Sequence, residues 1–168
     1  MSRLFVAVWP PDEVVDALST FPRERVPGVR WTTPQRWHVT LRFLGEADPD
    51  LAAAALAGLH HPTVAARSGE RPVGRLGRGL LVLPVDGLDS LASAVSAVMT
   101  GIGQPERHHG FVGHVTLARL KGVPACGLVG ARLQASWTVG EVSLVESTLR
   151  QTGAEYRTIS TVALDPHP

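Results

Sequence analysis

The sequence predicts an α+β fold of two pseudo-symmetric lobes, each a largely antiparallel sheet with helices packed outside, and a cleft between them. Three observations carry this. Strand-like and helix-like stretches are mixed, and several strand-like stretches follow one another directly, which favours antiparallel pairing. The tetrapeptide HVTL occurs at 38–41 and again at 114–117, so two halves can each bring one copy to a shared site. The chain has 168 residues, 44% of them hydrophobic, enough for a single two-lobed domain over 1–168 with a sizeable core.

The elements follow in order. RLFVAVWP is a short apolar run closed by Pro and reads as a buried strand. PPDEVVDALSTF opens a helix, with Pro and acids at its start and Val14, Val15 and Leu18 on one side. GVRWTTPQRW is extended and bounded by turns. WHVTLRFLG reads as a strand closed by Gly45. DPDLAAAALAGLHH is an Ala-rich helix with an Asp cap. The stretch from Thr63 to Gly87 gives strands separated by Gly and Pro turns. LDSLASAVSAVMTGIG is an amphipathic helix with Leu88, Leu91, Val95 and Val98 on one face. GFVGHVTLARL is a strand. SWTVGEVSLVEST and EYRTISTVALD read as a final strand pair joined by LRQTGA.

Net charge excludes a global attraction to nucleic acid: it is only +1, so an anionic partner has to be held locally. Cys126 is the sole cysteine, which rules out an internal disulfide and fits a reducing cytosol. It lies in a loop-like stretch with no nearby base and reads as a bystander. The apolar start stops at Pro10 and Pro11, too soon for a signal peptide. A soluble, cytoplasmic, monomeric protein without membrane contact is expected.

The repeat carries the chemistry. Side chains in a strand alternate faces, so His and Thr two apart point the same way. In the first copy Trp37, Val39, Leu41 and Phe43 share a core-like face; Arg36, His38, Thr40 and Arg42 share the other. In the second, His114 and Thr116 lie opposite Val115 and Leu117. Each copy presents an imidazole beside a hydroxyl. Two such pairs suit phosphate-ester chemistry without a metal. A neutral imidazole takes a proton from the attacking oxygen, and a protonated one gives a proton to the leaving oxygen. The hydroxyls can donate to phosphoryl oxygens.

Rival readings are a metal site and a catalytically idle nucleotide or RNA-end binding module. No Cys or carboxylate sits at ligand spacing from His38 or His114, and Thr is a poor ligand. An idle binder has no use for a matched acid and base. His60, His61, His108, His109 and His167 read as surface residues. Neither a phosphate-binding glycine loop nor a nucleophile elbow is present.

With these residues in hand, the chain resembles the two-histidine (2H) phosphoesterase superfamily, and within it the bacterial and archaeal RNA 2′,3′-cyclic phosphodiesterase (2′-5′ RNA ligase-like) family. The resemblance runs through RLFVAVWPP, WHVTLRFLGE, HVTLAR and VSLVESTLRQTGAEYRTISTVAL. It implies His38, Thr40, His114 and Thr116 as the catalytic set, with His38 as proton donor and His114 as proton acceptor. It implies Arg119 as a phosphate contact, which requires the strand to end or bulge first, because strict alternation turns Arg119 away from His114. Phe43 is implied as a base-stacking residue, although alternation puts it on the core face. Arg42 lies on the substrate side by alternation and joins the substrate-binding candidates, and Tyr156 matches a recurring family aromatic. Gly113 stands where relatives often have Pro and would loosen the approach to the strand. The implied reaction is hydrolysis of a 2′,3′-cyclic phosphate on RNA ends or nucleotides, tRNA fragments among them, to a 2′-phosphomonoester. Some members also form 2′-5′ linkages. No cofactor or metal is implied.

Overall fold

The computed structural model describes residues 1–166. Its ten strands are β1 (Ser2–Val8), β2 (Val29–Trp31), β3 (Val39–Ala47), β4 (Val64–Ser68), β5 (Gly74–Leu76), β6 (Leu80–Pro84), β7 (His114–Leu120), β8 (Ala135–Val139), β9 (Glu141–Arg150) and β10 (Gly153–Ala163). The helices are α1 (Asp12–Ser19), α2 (Pro49–Ala57) and α3 (Asp89–Val98), with a short 3₁₀ turn at Pro34–Arg36. The large sheet runs β10-β9-β1-β3-β7-β6-β5, with β2 also on β7; β4 and β8 form a separate pair. All these pairings are antiparallel.

β3 and β7 share one rung, Val39 with Val115. That seam divides the sheet into a β10-β9-β1-β3 lobe and a β7-β6-β5 lobe that includes β2. The lobes are not the two halves of the sequence. β1 and β3 lie in the first, β5 to β7 in the second, and β9 and β10 return to the first. α2 and α3 pack together against first-lobe strands, α2 on β9 and β10 and α3 on β3. Leu18 of α1 lines a small apolar cavity together with Trp31, Trp37 and Leu117, beside the second lobe.

Local chemistry explains the helices. Pro49 opens α2, and the Asp48 carboxylate accepts from the backbone N–H groups of Asp50 and Leu51. α3 buries Leu91, Ala92 and Val95, and its flanking Leu88 and Met99 are fully covered. Leu4, Val6, Val8, Trp37, Val39, Leu44, Val115 and Leu144 join these side chains in one continuous core.

Two strand expectations need correction. β3 does not stop at Gly45. Leu4 pairs with Gly45 and Phe5 with Phe43, so Leu44 is an extra residue and Gly45 takes φ +66° inside the strand. The kink makes room for the loop after α3, where the Gln104 N–H donates to the Leu44 carbonyl at 2.7 Å. SWTVGEVSLVEST is two strands. The chain changes sheet at Gly140, so β8 pairs with β4 while β9 pairs with β1 and β10.

Candidate active site

The site is built around the Val39–Val115 rung. Both valines are fully buried on the core face. Their neighbours therefore project from the opposite face: His38 and Thr40 from one strand, His114 and Thr116 from the other. Antiparallel direction brings His38 abreast of Thr116 and Thr40 abreast of His114. The two copies of the tetrapeptide thus lie side by side, related by a local two-fold, where the lobes join.

Both imidazoles are anchored alike. The Nδ1–H of His38 donates to the Arg36 carbonyl at 2.6 Å, and that of His114 to the Val112 carbonyl at 2.7 Å. A carbonyl can only accept, so Nδ1 carries a proton in both rings and Nε2 is left for chemistry. In the neutral ring, His38 Nε2 accepts from the Thr40 hydroxyl at 3.1 Å. Each carbonyl comes from two residues before its histidine, so backbone alone sets both tautomers.

The two rings differ in their surroundings. Phe5 stacks on His38 with centroids 4.9 Å apart and planes 28° from parallel. Trp9 lies at 5.4 Å, and Tyr156 meets the ring edge-on at 5.3 Å. Burial in this aromatic wall lowers the His38 pKa to about 4; the Arg36 carbonyl opposes the shift, and a positive charge on His114 would add to it. Burial also lowers the His114 pKa, against the Val112 carbonyl. In the free protein both rings are neutral at pH 7.

Phe5 and Trp9 were not among the candidates read from the sequence. The signal was present: Phe5 and Ala7 alternate along β1 and Trp9 continues the pattern just past its end, so one side of that strand had to face something other than the helices.

A bulge in each strand decides the outer residues. β1 pairs Ala7 with Thr40 and Val6 with Arg42, leaving Leu41 as an extra residue that dips into the core. From there parity is reversed. Phe43 comes out opposite Phe5, on the side of His38, packed beside Phe5, Trp9 and Tyr156, with the Arg3 guanidinium 5.1 Å above its ring. Arg42 goes to the helix side, against expectation. Its Nη2 donates to the Gln104 carbonyl at 2.8 Å, Glu106 is 4.0 Å away, and its side chain is 9% exposed. Arg42 is therefore removed from the substrate-binding candidates. β7 repeats the device. β6 pairs Val82 with Thr116 and Leu81 with Ala118, so Leu117 is extra and Arg119 emerges on the face of His114 and Thr116.

Gly113 also departs from expectation, since the approach to β7 is tight. Its carbonyl accepts the Val85 N–H at 2.9 Å, and a Cβ there would lie 2.3 Å from the Val85 carbonyl oxygen.

Of the other histidines, His60, His108 and His109 are exposed and His61 is partly buried. His167 lies outside the described residues. Among the described residues no three His, Cys, Asp or Glu side chains are grouped to hold a metal ion, and no helix is long and apolar enough to cross a membrane. Cys126 is unpaired and partly buried.

Residues 8–68, which include the first tetrapeptide, match the family described as LigT like Phosphoesterase. The whole fold superposes on the crystal structure of the Thermus thermophilus protein TT0787 with a TM-score of 0.79, 26% identity, and coverage of 96% of this chain and 97% of that one. The chain is thus similar to the LigT-like phosphoesterases, in sequence over residues 8–68 and in fold over nearly its whole length. E. coli LigT complexed with ATP is similar at 25% identity and a TM-score of 0.71, each chain covered to 97%. E. coli LigT complexed with 3′-AMP gives 24% identity and a TM-score of 0.75, with 97% of this chain and 98% of that chain covered. No curated protein matches by sequence. The family match ends before His114, so the second half of the site rests on the fold and its register.

Proposed function

We propose that the chain hydrolyses 2′,3′-cyclic phosphate ends of RNA or nucleotides to 2′-phosphomonoesters by metal-free acid–base catalysis, acting as one two-lobed unit in the cytoplasm. The observation that carries this is the pair of imidazoles fixed by backbone carbonyls with both Nε2 atoms on the face where the lobes meet. His114 Nε2 takes a proton from the attacking water. The water oxygen bonds to phosphorus, the P–O3′ bond breaks, and protonated His38 gives its Nε2 proton to O3′. Thr40 and Thr116 donate to the non-bridging oxygens, where charge develops. The anionic phosphate supplies the missing proton indirectly: it favours a positive ring beside it and raises the pKa values that burial has lowered. Arg119 adds a fixed positive charge on the same face, Phe43 offers a ring for the base, and Tyr156 holds the His38 ring. A ribose 5′-hydroxyl in place of water gives 2′-5′ joining by the same displacement.

The test is incubation with 2′,3′-cyclic AMP in EDTA, with products identified by phosphorus NMR. Formation of 2′-AMP is expected. Formation of 3′-AMP, or activity lost on chelation and restored by zinc or manganese, overturns the proposal.

A further inference from the structure

Three arginines stand apart from the other basic residues by where they gather. Arg42, Arg71, Arg150 and Arg157 each have a carboxylate within 4.0 Å. Arg30, Arg36 and Arg119 have none among the described residues, yet they lie together at one end of the candidate site. Arg30 pairs directly with Arg119 across β2 and β7, so both project from the face that carries His114 and Thr116. Like charges directly opposite on one sheet face disfavour the pairing. Arg36 comes from the 3₁₀ turn just ahead of His38. Its guanidinium and that of Arg30 lie together over Gly153, at the tip of the β9–β10 hairpin of the other lobe. A Cβ on Gly153 would sit 2.7 Å from Arg36 Nη1 and 3.4 Å from Arg30 Nη2. Gly153 has φ +118°, which leaves that place open.

We propose that Arg30 and Arg36 form a second phosphate site, which takes the phosphate on the 5′ oxygen of the nucleoside whose cyclic phosphate lies between His38 and His114. This rests on the function proposed above and narrows its substrate class. The site favours an RNA 3′ end or a 5′-phosphorylated nucleotide over a nucleoside bearing the cyclic phosphate alone. The cyclic phosphate falls to the histidines, the threonines and Arg119. The next phosphate along such a molecule is one ribose away on the 5′ side. Arg36 is two residues from His38, and Arg30 is bonded across to the strand of His114. A guanidinium pair matches phosphate oxygens, and in a chain of net charge +1 such a group binds locally rather than through a global field.

The experiment compares kcat/KM at low salt for three substrates: 2′,3′-cyclic AMP, its 5′-phosphorylated form, and the dinucleotide ApA ending in a 2′,3′-cyclic phosphate. Wild type is expected to prefer at least one of the latter two by about tenfold or more, as for a charge-assisted contact. Preference for the dinucleotide alone identifies RNA ends as the source of the second phosphate; preference for the 5′-phosphorylated form alone identifies a small nucleotide. In R30Q and R36Q the ratio should fall toward one, whatever happens to the rate on 2′,3′-cyclic AMP. A ratio near one in wild type, or a ratio unchanged in both variants, overturns the second site. If no substrate is turned over, the proposed reaction fails, and binding decides the second site separately. By calorimetry, adenosine 2′,5′-bisphosphate should bind about tenfold tighter than 2′-AMP in wild type and equally in R30Q; equal affinities in wild type overturn it.

Discussion

Val39 faces Val115 across the one rung that joins β3 to β7, and both valines are wholly buried. The residues on either side of each valine are the ones that carry chemistry. A buried rung fixes their height and their side, and a backbone carbonyl two residues earlier fixes each imidazole. The site is thus held by main chain and core rather than by a network of side chains.

His38→Ala and His114→Ala are each expected to lower kcat by roughly 10²–10⁴-fold, the usual contribution of a general acid or base. The double variant should be little worse than either single one, since the two act as a unit. Circular dichroism should be unchanged. A single variant that keeps near-normal single-turnover rates removes that histidine from the mechanism.

Arg42 and Arg119 should separate cleanly. Arg119→Gln is expected to raise KM about tenfold with little change in Tm. Arg42→Gln should leave KM alone and cost about 1 kcal/mol of stability, because it removes the bond from the covered Arg42 side chain to the Gln104 carbonyl. Urea melts and initial rates on the same preparations decide it; an elevated KM in the Arg42 variant contradicts the reversed parity of β3.

That contrast marks what was legible in the sequence. The four catalytic candidates, the three helices and most strands follow from periodicity, caps and the repeated tetrapeptide, all of which are local signals. Alternation beyond Thr40 and Thr116 does not, because Leu41 and Leu117 each add a residue that the neighbouring strand does not match. A bulge depends on the partner strand, and a single stretch such as HVTLRF has no mark that sets it apart from regular strand. The need for one ahead of Arg119 was visible only from the family's use of that residue. Gly140 was read as strand interior for the same reason: a change of sheet is a property of where β4 and β1 lie. Arg30 looked like any arginine and Arg36 was marked only by sharing the His38 face; what sets the two apart is the hairpin tip that brings Gly153 over them.

Gly113→Ala is expected to destabilise the protein by about 1–3 kcal/mol and to lower kcat, because the added methyl meets a backbone carbonyl that has little freedom to move. His114 is the next residue and shifts with it. An unchanged Tm and rate would show that the Val85–Gly113 contact is slack.

Acid should weaken the fold through His38. Its pKa is about 4 when folded and near 6.5 when unfolded, so between those values the unfolded chain holds more protons. The contribution is therefore intact above about pH 6.5 and lost as pH falls toward 4, amounting to about 2 kcal/mol by pH 5. His38→Asn removes this titration. Urea unfolding at pH 8 and pH 5 should show wild type losing more stability than the variant; equal losses would mean that the His38 ring is not desolvated in the fold.

The pH dependence of kcat/KM, measured with chemistry rate-limiting, bears most directly on the claim that two imidazoles exchange protons with the phosphate ester. The productive free enzyme has one ring neutral and one protonated. The profile should be a bell set by the macroscopic titrations of the pair. Because burial lowers both pKa values, its maximum should lie on the acid side of about 6.5 and the rate should fall through neutrality. Bound phosphate favours the protonated rings, so the kcat profile should be displaced upward in pH relative to kcat/KM. A kcat/KM flat from pH 5 to 9, or one that only rises, would mean that His38 and His114 hold the phosphate without moving its protons.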